Sequence, residues 1–238
     1  MRLDRWLTTL GMGSRSEVQR LIRSGAVAVA GETVRDPGMD CATEVTPLRV
    51  RGESVDGRTV RHVMLHKPEG LLTAARDRKQ PTVMDMLPMA YAAMGCMPVG
   101  RLDKDSEGLL LFTNDGTLTQ QLLHPRHQVD KVYQVTVSGA LEGAEERLSR
   151  MRMLEGEPIQ PAQVRRLSQK GETAVLEVII HQGKNRQIRR MCRQAGLSVL
   201  RLRRVQEHTL HLGNLPSGKW RYLTDEELQD LKGSDGVE

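Results

Sequence analysis

Cysteine and aromatic residues are scarce in this sequence, and long apolar runs are missing from it. Its 238 residues include three cysteines, Cys41, Cys96 and Cys192, far apart and odd in number. That argues against a disulfide framework. No CxxC pair or Cys/His cluster has zinc-ligand spacing, so no metal is expected. Aromatics form only 3% of the chain, so any base-stacking surface must come from Trp6, Tyr91, Phe112, Tyr133, Trp220 or Tyr222. No segment has the roughly 20 apolar residues of a membrane-spanning helix. Met1–Gly13 also lacks the uninterrupted apolar run of a signal peptide. A cytoplasmic protein without membrane attachment is expected.

What the chain has in excess is positive charge. Lys and Arg number 35 against 30 acidic residues, a formal net charge of +5. The excess is mainly arginine, whose planar fork suits bidentate contact with phosphate. The balance of 38% hydrophobic and 27% charged residues is that of an ordinary globular protein.

The first sixty residues read as one small unit. Leu3, Trp6, Leu7 and Leu10 share one face of a short helix that Gly11 ends. Ser14 and Glu17 have capping-box spacing and open a second helix with Val18, Leu21 and Ile22 inward and Gly25 at its end. Strands are expected at Val27–Ala30, Glu32–Val34 and Pro47–Val50, with a linker at Gly52–Arg58. Arg2, Arg5, Arg15, Arg20 and Arg23 lie on the polar sides of the two helices. They form either a solvated face or a phosphate-binding surface.

A larger domain is expected from Arg61 to Lys232, followed by a disordered tail over 233–238. Strand patterns fall at Val63–His66, Leu109–Thr113, Val132–Val137, Ala174–Ile180 and Leu200–Arg203. Helical ones fall at Val83–Leu87, Leu118–Leu123, Glu145–Met151 and Arg186–Gly196, with Thr224 and Glu227 capping a last helix. The irregular alternation predicts an α+β domain on a mainly antiparallel mixed sheet with flanking helices.

Three segments carry chemistry. In Gly100–Gly116, Asp103, Asp105 and Glu107 alternate before Gly108 and an apolar run. A calcium loop is disfavoured because its twelfth position is Asn114 rather than a bidentate Glu. A polar turn entering a core strand explains the apolar run but not Arg101 beside Asp103. In Gly183–Gly196, Ile188, Met191, Cys192 and Ala195 form an apolar stripe, and Arg186, Arg189, Arg190 and Arg193 fill the rest of the helix. With Arg201, Arg203 and Arg204 following, this cluster fits a polyanion. Lys184 followed by Asn185 is not a Walker loop. The third segment is Lys131-Val-Tyr133. By elimination among six aromatics, Tyr133 at a strand start is the best stacking platform.

The run Arg2-Leu-Asp-Arg-Trp-Leu7 followed by Ser14–Gly31 resembles the S4 RNA-binding module over residues 1–50. The whole chain resembles the S4-domain ribosomal RNA pseudouridine synthases of the RsuA type. His66-Lys-Pro-Glu-Gly70 is similar to that family's N-K-P-x-G segment, departing at its first residue. Gly100-Arg-Leu-Asp103, Lys131-Val-Tyr133, Gln187-Ile-Arg189 and Val199-Leu-Arg-Leu202 match its later motifs. Gln206-Glu-His208 departs where relatives usually carry a glycine. The resemblance implies an S4 domain over 1–58 and a synthase domain over 61–232. It implies that Asp103 is the catalytic carboxylate, that Tyr133 stacks on the target base, and that Arg189 pairs with Asp103. Arg101 would brace the vacated stack and Leu202 would form an apolar wall. Lys67, Lys131, Gln187, Arg186 and Arg190 would contact substrate. Implied too are base flipping, ribosomal RNA as partner (free or in an assembly intermediate), a monomer, and no cofactor. A non-catalytic S4-type assembly factor is the competing reading; a DNA-binding protein would need a recognition helix outside the S4 pattern, and the sequence shows none.

Overall fold

The computed structural model describes residues 1–43, 46–124 and 128–233. The sequence expectation of a disordered tail therefore lies outside the described residues except at Gly233, which closes the last helix.

Helices α1 (Leu3–Thr9) and α2 (Arg15–Arg23) pack on a four-stranded antiparallel sheet. Its strands are β1 (Val27–Val29), β2 (Glu32–Val34), β3 (Leu48–Val50) and β4 (Glu53–Val55), in the order β2-β1-β3-β4. The expected capping box is present, with Ser14 N donating to Glu17 Oε2 at 2.8 Å. Leu3, Trp6, Leu7, Val18 and Ile22 are fully buried, as their spacing requires. The linker expected at Gly52–Arg58 is shorter than predicted, because Glu53–Val55 pairs with β3 as an edge strand.

The larger domain begins with β5 (His62–Lys67), a 3₁₀ turn (Val83–Met86), α3 (Met89–Ala93) and β6 (Met97–Val99). Next come β7 (Glu107–Thr113), α4 (Gly116–Leu123), β8 (Lys131–Gly139) and α5 (Ala144–Ser149). A small β9–β10 hairpin (Met153–Leu154 and Glu157–Pro158) leads to β11 (Gln163–Lys170), β12 (Thr173–Ile180) and α6 (Gln187–Gln194). The chain ends with β13 (Leu197–Glu207), β14 (Leu210–His211), β15 (Trp220–Tyr222) and α7 (Asp225–Gly233). The sheet runs β11-β12-β8-β13-β7-β5-β15, with β6 paired to β7 and β14 to β13. Only β13 and β7 pair in parallel among these neighbours, so the sheet is mixed and mainly antiparallel.

Strand β7 is buried along its whole length. Alternate side chains enter two cores: Leu110 and Phe112 join one cluster, and Leu109 and Leu111 the other. The first cluster also contains the S4-side residues Leu3, Trp6 and Ile22, so one core runs through both units. Two glycines permit that closeness. A Cβ on Gly11 would lie 2.9 Å from the Ala90 carbonyl oxygen on α3, and one on Gly57 would lie 2.5 Å from the Trp6 ring.

Five of the six aromatics hold this frame together. Trp6 and Phe112 are core residues. Tyr91, read from sequence as loop, is buried on α3 and hydrogen-bonds Tyr222. Trp220 meets both tyrosine rings at 5.7 and 5.8 Å, while Arg58 of the linker stacks 5.0 Å from the Tyr222 centroid. Tyr133 is left.

Candidate active site

The sheet register assembles the site. Tyr133 on β8 lies opposite Arg204 on β13, which pairs in turn with Gly108 on β7. A Cβ at Gly108 would lie 2.2 Å from the Arg204 carbonyl oxygen, so only glycine permits this strand approach. The loop that ends at Gly108 carries Asp103. It therefore arrives beside the Tyr133 row, at the start of the one parallel strand pair.

A cavity of about 340 Å³ opens there, lined by Arg101, Asp103, Ser106, Tyr133, Ile180 and Leu202 together with the 183–188 turn. Asp103 is partly exposed, Arg101 is exposed at the rim, and Tyr133 and Leu202 are buried in the wall. Burial raises the Tyr133 phenol above its ordinary pKa, so it stays neutral. Arg204 beneath it is fully buried, paired with Glu207 at 3.1 Å and donating to the Leu109 carbonyl at 2.8 Å. Arg204 is thus a support for Tyr133. It is not the exposed polyanion contact that its place in the arginine run predicted.

The cations of α6 take partners that the sequence did not foresee. Arg189 was expected to pair with Asp103. Instead its Nε lies 3.3 Å from Asp105 Oδ2, and Nη2 bonds the Asp105 carbonyl. Arg186 holds the Asp105 carboxylate bidentately at 3.0 and 2.6 Å and approaches Asp103 at 3.9 Å. The hydrogen bond from Arg186 is the main reason the Asp105 carboxyl sits below its usual range. Arg186 caps α6 from the left-handed region, φ +47°, an unfavourable conformation for arginine. That turn aims Arg186 and Arg189 at the same carboxylate.

Other predicted contacts move away from the pocket. Lys67 is completely buried and donates to the carbonyls of Pro68, Asp103 and Ser106 at 3.1, 3.0 and 2.7 Å. It braces the Asp103 loop from beneath rather than meeting substrate. Arg190 turns outward to Glu155 at 2.8 Å, where Arg193 joins it. Lys131 bonds the Val129 carbonyl at 3.2 Å and does not line the cavity. Gln187 does line it, but its Oε1 is used by the Lys184 amide at 3.1 Å. Sequence reasoning missed Ser106 and Ile180 as wall residues. Ile180 was the inward end of a visible alternating strand, while nothing local marked Ser106.

His208, in the segment where a glycine was expected, has φ +55° and donates its amide to the Asp130 carbonyl at 2.8 Å. The bend holds His208 in the left-handed region, which glycine adopts without steric cost. On the first unit, Arg2, Arg5, Arg15, Arg20 and Arg23 are all exposed. Arg2 and Arg15 lie 3.1 and 3.8 Å from the buried Asp4. Among the described residues no His/Cys/Asp/Glu group has the arrangement of a metal site, and no helix is long and apolar enough to cross a membrane.

A small module of two helices on a four-stranded sheet joined to a mixed-sheet domain, with an aspartate, a tyrosine and arginines around one cleft, defines an RNA-modifying class of protein. The profile of the RNA pseudouridylate synthase family matches residues 61–194, and that of the S4 domain matches residues 1–44. The chain belongs to the RNA pseudouridine synthase family, in the form that carries an N-terminal S4 domain. It is 34% identical to the ribosomal large subunit pseudouridine synthase B of Bacillus subtilis, over 97% of this chain and 95% of that one. It is 33% identical to the dual-specificity RNA pseudouridine synthase RluF of Escherichia coli, over 97% of this chain and 78% of that one. A crystal structure of a pseudouridylate synthase superposes with a TM-score of 0.66 at 28% identity, covering 97% of this chain and 99% of that one.

Proposed function

We propose that this protein converts a uridine of ribosomal RNA to pseudouridine, with Asp103 as the catalytic carboxylate. The observation that carries the reading is the convergence of Asp103, Tyr133 and Leu202 on one cavity with Arg101 at its rim.

Pseudouridine formation breaks the bond between uracil N1 and the sugar, turns the base, and joins C5 to the same carbon. A proton leaves C5, and no electrons or groups are exchanged with another molecule. A uridine within folded RNA must first leave its stack, and a pocket with an aromatic wall replaces the lost stacking. Tyr133 supplies that face, kept neutral by its burial and supported from beneath by Arg204. Leu202 and Ile180 add apolar wall to the same cavity. Asp103 provides the anionic oxygen at the reacting sugar–base bond, as nucleophile or base. Arg186 lies 3.9 Å from its carboxylate, a cation at the edge of the cavity. Arg101 at the rim is placed to fill the space left in the RNA stack.

The test is tritium release from C5-labelled uridine in unmodified transcripts of both subunit RNAs, with wild type and Asp103→Ala side by side. Release by wild type alone is expected. Tight binding by both proteins with no release from either RNA would overturn catalysis in favour of an assembly role.

A further inference from the structure

The nine residues 73–81, between β5 and the 3₁₀ turn, contain Arg76, Arg78 and Lys79. We propose that this loop is a second phosphate-binding surface, which grips the RNA backbone next to the target uridine and acts in binding rather than in chemistry. The inference rests on the reading of function above and names how the RNA strand is held at that site.

Many arginines of the larger domain are neutralised internally: Arg165 by Glu177, Arg201 by Glu107, Arg221 by Glu227. Arg76, Arg78 and Lys79 are different. All three are exposed, and among the described residues none makes a side-chain hydrogen bond or ion pair. The one carboxylate of the loop, Asp77, is spent on its backbone, accepting from the Lys79 and Gln80 amides at 2.8 Å each. The three cations cover no core, so support of the fold does not account for them.

The loop is also fastened to the catalytic segment. Its base is closed by the Leu72–Thr82 bridge, with the Leu72 amide bonding the Pro81 carbonyl at 3.1 Å. Thr73 Oγ1 donates to the Leu102 carbonyl at 2.7 Å, and Lys104 Nζ donates to Gln80 Oε1 at 2.8 Å. These bonds flank Asp103 on both sides. The two ends of the loop are thereby anchored beside the Asp103 segment, which lowers the backbone ordering cost of binding.

The chemistry that meets them follows from the substrate. A flipped nucleotide stays covalently attached to its neighbours, so the adjoining phosphates must leave past the pocket rim. Three unpaired cations on a loop anchored there match a polyanionic strand without reading its bases.

The test is the triple variant Arg76→Gln/Arg78→Gln/Lys79→Gln in steady-state tritium-release assays on a folded rRNA fragment, at several salt concentrations. KM is expected to rise roughly 10- to 100-fold, with a salt dependence shallower by up to about three phosphate contacts, while kcat stays within about twofold. The charge-keeping variant Arg76→Lys/Arg78→Lys is expected to recover most of the loss. Ethylation of phosphates within a few nucleotides of the target should weaken binding of wild type but not of the triple variant. An unchanged KM and salt slope, a fall in kcat alone, or interference confined to distant phosphates would overturn the proposal. Absence of release by wild type would instead overturn the reading of function beneath it.

Discussion

Lys67 shows how a charged residue can serve a cavity it does not line. Its ammonium is shut away from water, which pulls its pKa down to about 8, and three loop carbonyls replace its hydration. Lys67→Met would fill the space but leave those carbonyls without a donor, at about 1–3 kcal/mol for each buried group left unpaired. The variant is expected to melt at lower temperature and to lose kcat at least tenfold while still binding RNA, measured by thermal denaturation and tritium release. Sequence motifs placed Lys67, Asp103, Tyr133 and Leu202 within one site, because each stands in a distinctive run. They did not show which end of a side chain does what. Lysine reads as a surface cation until a carbonyl cradle is seen around it. Asp103 and Asp105 are both carboxylates in the same turn, and the structure gives the guanidinium pair of Arg186 and Arg189 to Asp105.

At the scale of elements, α1 and α2 are joined by a polar pin as well as by their apolar stripes. Asp4 is buried and accepts from Arg2 and from Gln19 of α2, and these bonds hold its carboxyl at about 2. An ordinary aspartate titrates near 3.9. The folded value is depressed, so Asp4 stabilises fully above about pH 4 and loses that contribution as pH falls through about 2. The melting temperature of Asp4→Asn should lie below wild type at neutral pH, and the two should converge near pH 2. Elements with strong patterns were legible: the capped α2, the apolar run Leu109–Phe112 of β7 and the alternating β12. Those at the sheet margins were not. Strand β11, Gln-Val-Arg-Arg-Leu-Ser-Gln-Lys, is an edge exposed on most of its length and so lacks an inward period. Strand β4 is three residues long and mostly exposed. Helix α3 follows Pro88 with only one deeply buried side chain, Tyr91.

For the molecule as a whole, the decisive contact is Gly11 against α3. Gly11 has φ +74°, and a Cβ there would press on the Ala90 carbonyl and lie 3.2 Å from the Ala93 Cβ. In Gly11→Val the left-handed backbone alone would cost roughly 1–2 kcal/mol, and the clash adds a push that separates the two units. The expected outcome is faster proteolysis in the 56–61 linker and a larger radius of gyration by solution scattering. Activity on a folded rRNA fragment should fall, with each unit still melting cooperatively. This union was not visible in the sequence, because a helix-ending glycine and a contact glycine look alike. Composition did restrict the aromatics to six, and the structure assigns five of them to the frame.

With the Gly11 turn seated on α3 and Arg58 of the linker stacked on Tyr222, the span from the S4 arginines to the Asp103 cavity is set by the protein. On the proposed function, the molecule is expected to work as a calliper: a folded RNA would qualify when its rigid stem and its extrudable uridine stand at that separation, so that shape selects the target before any base edge is read.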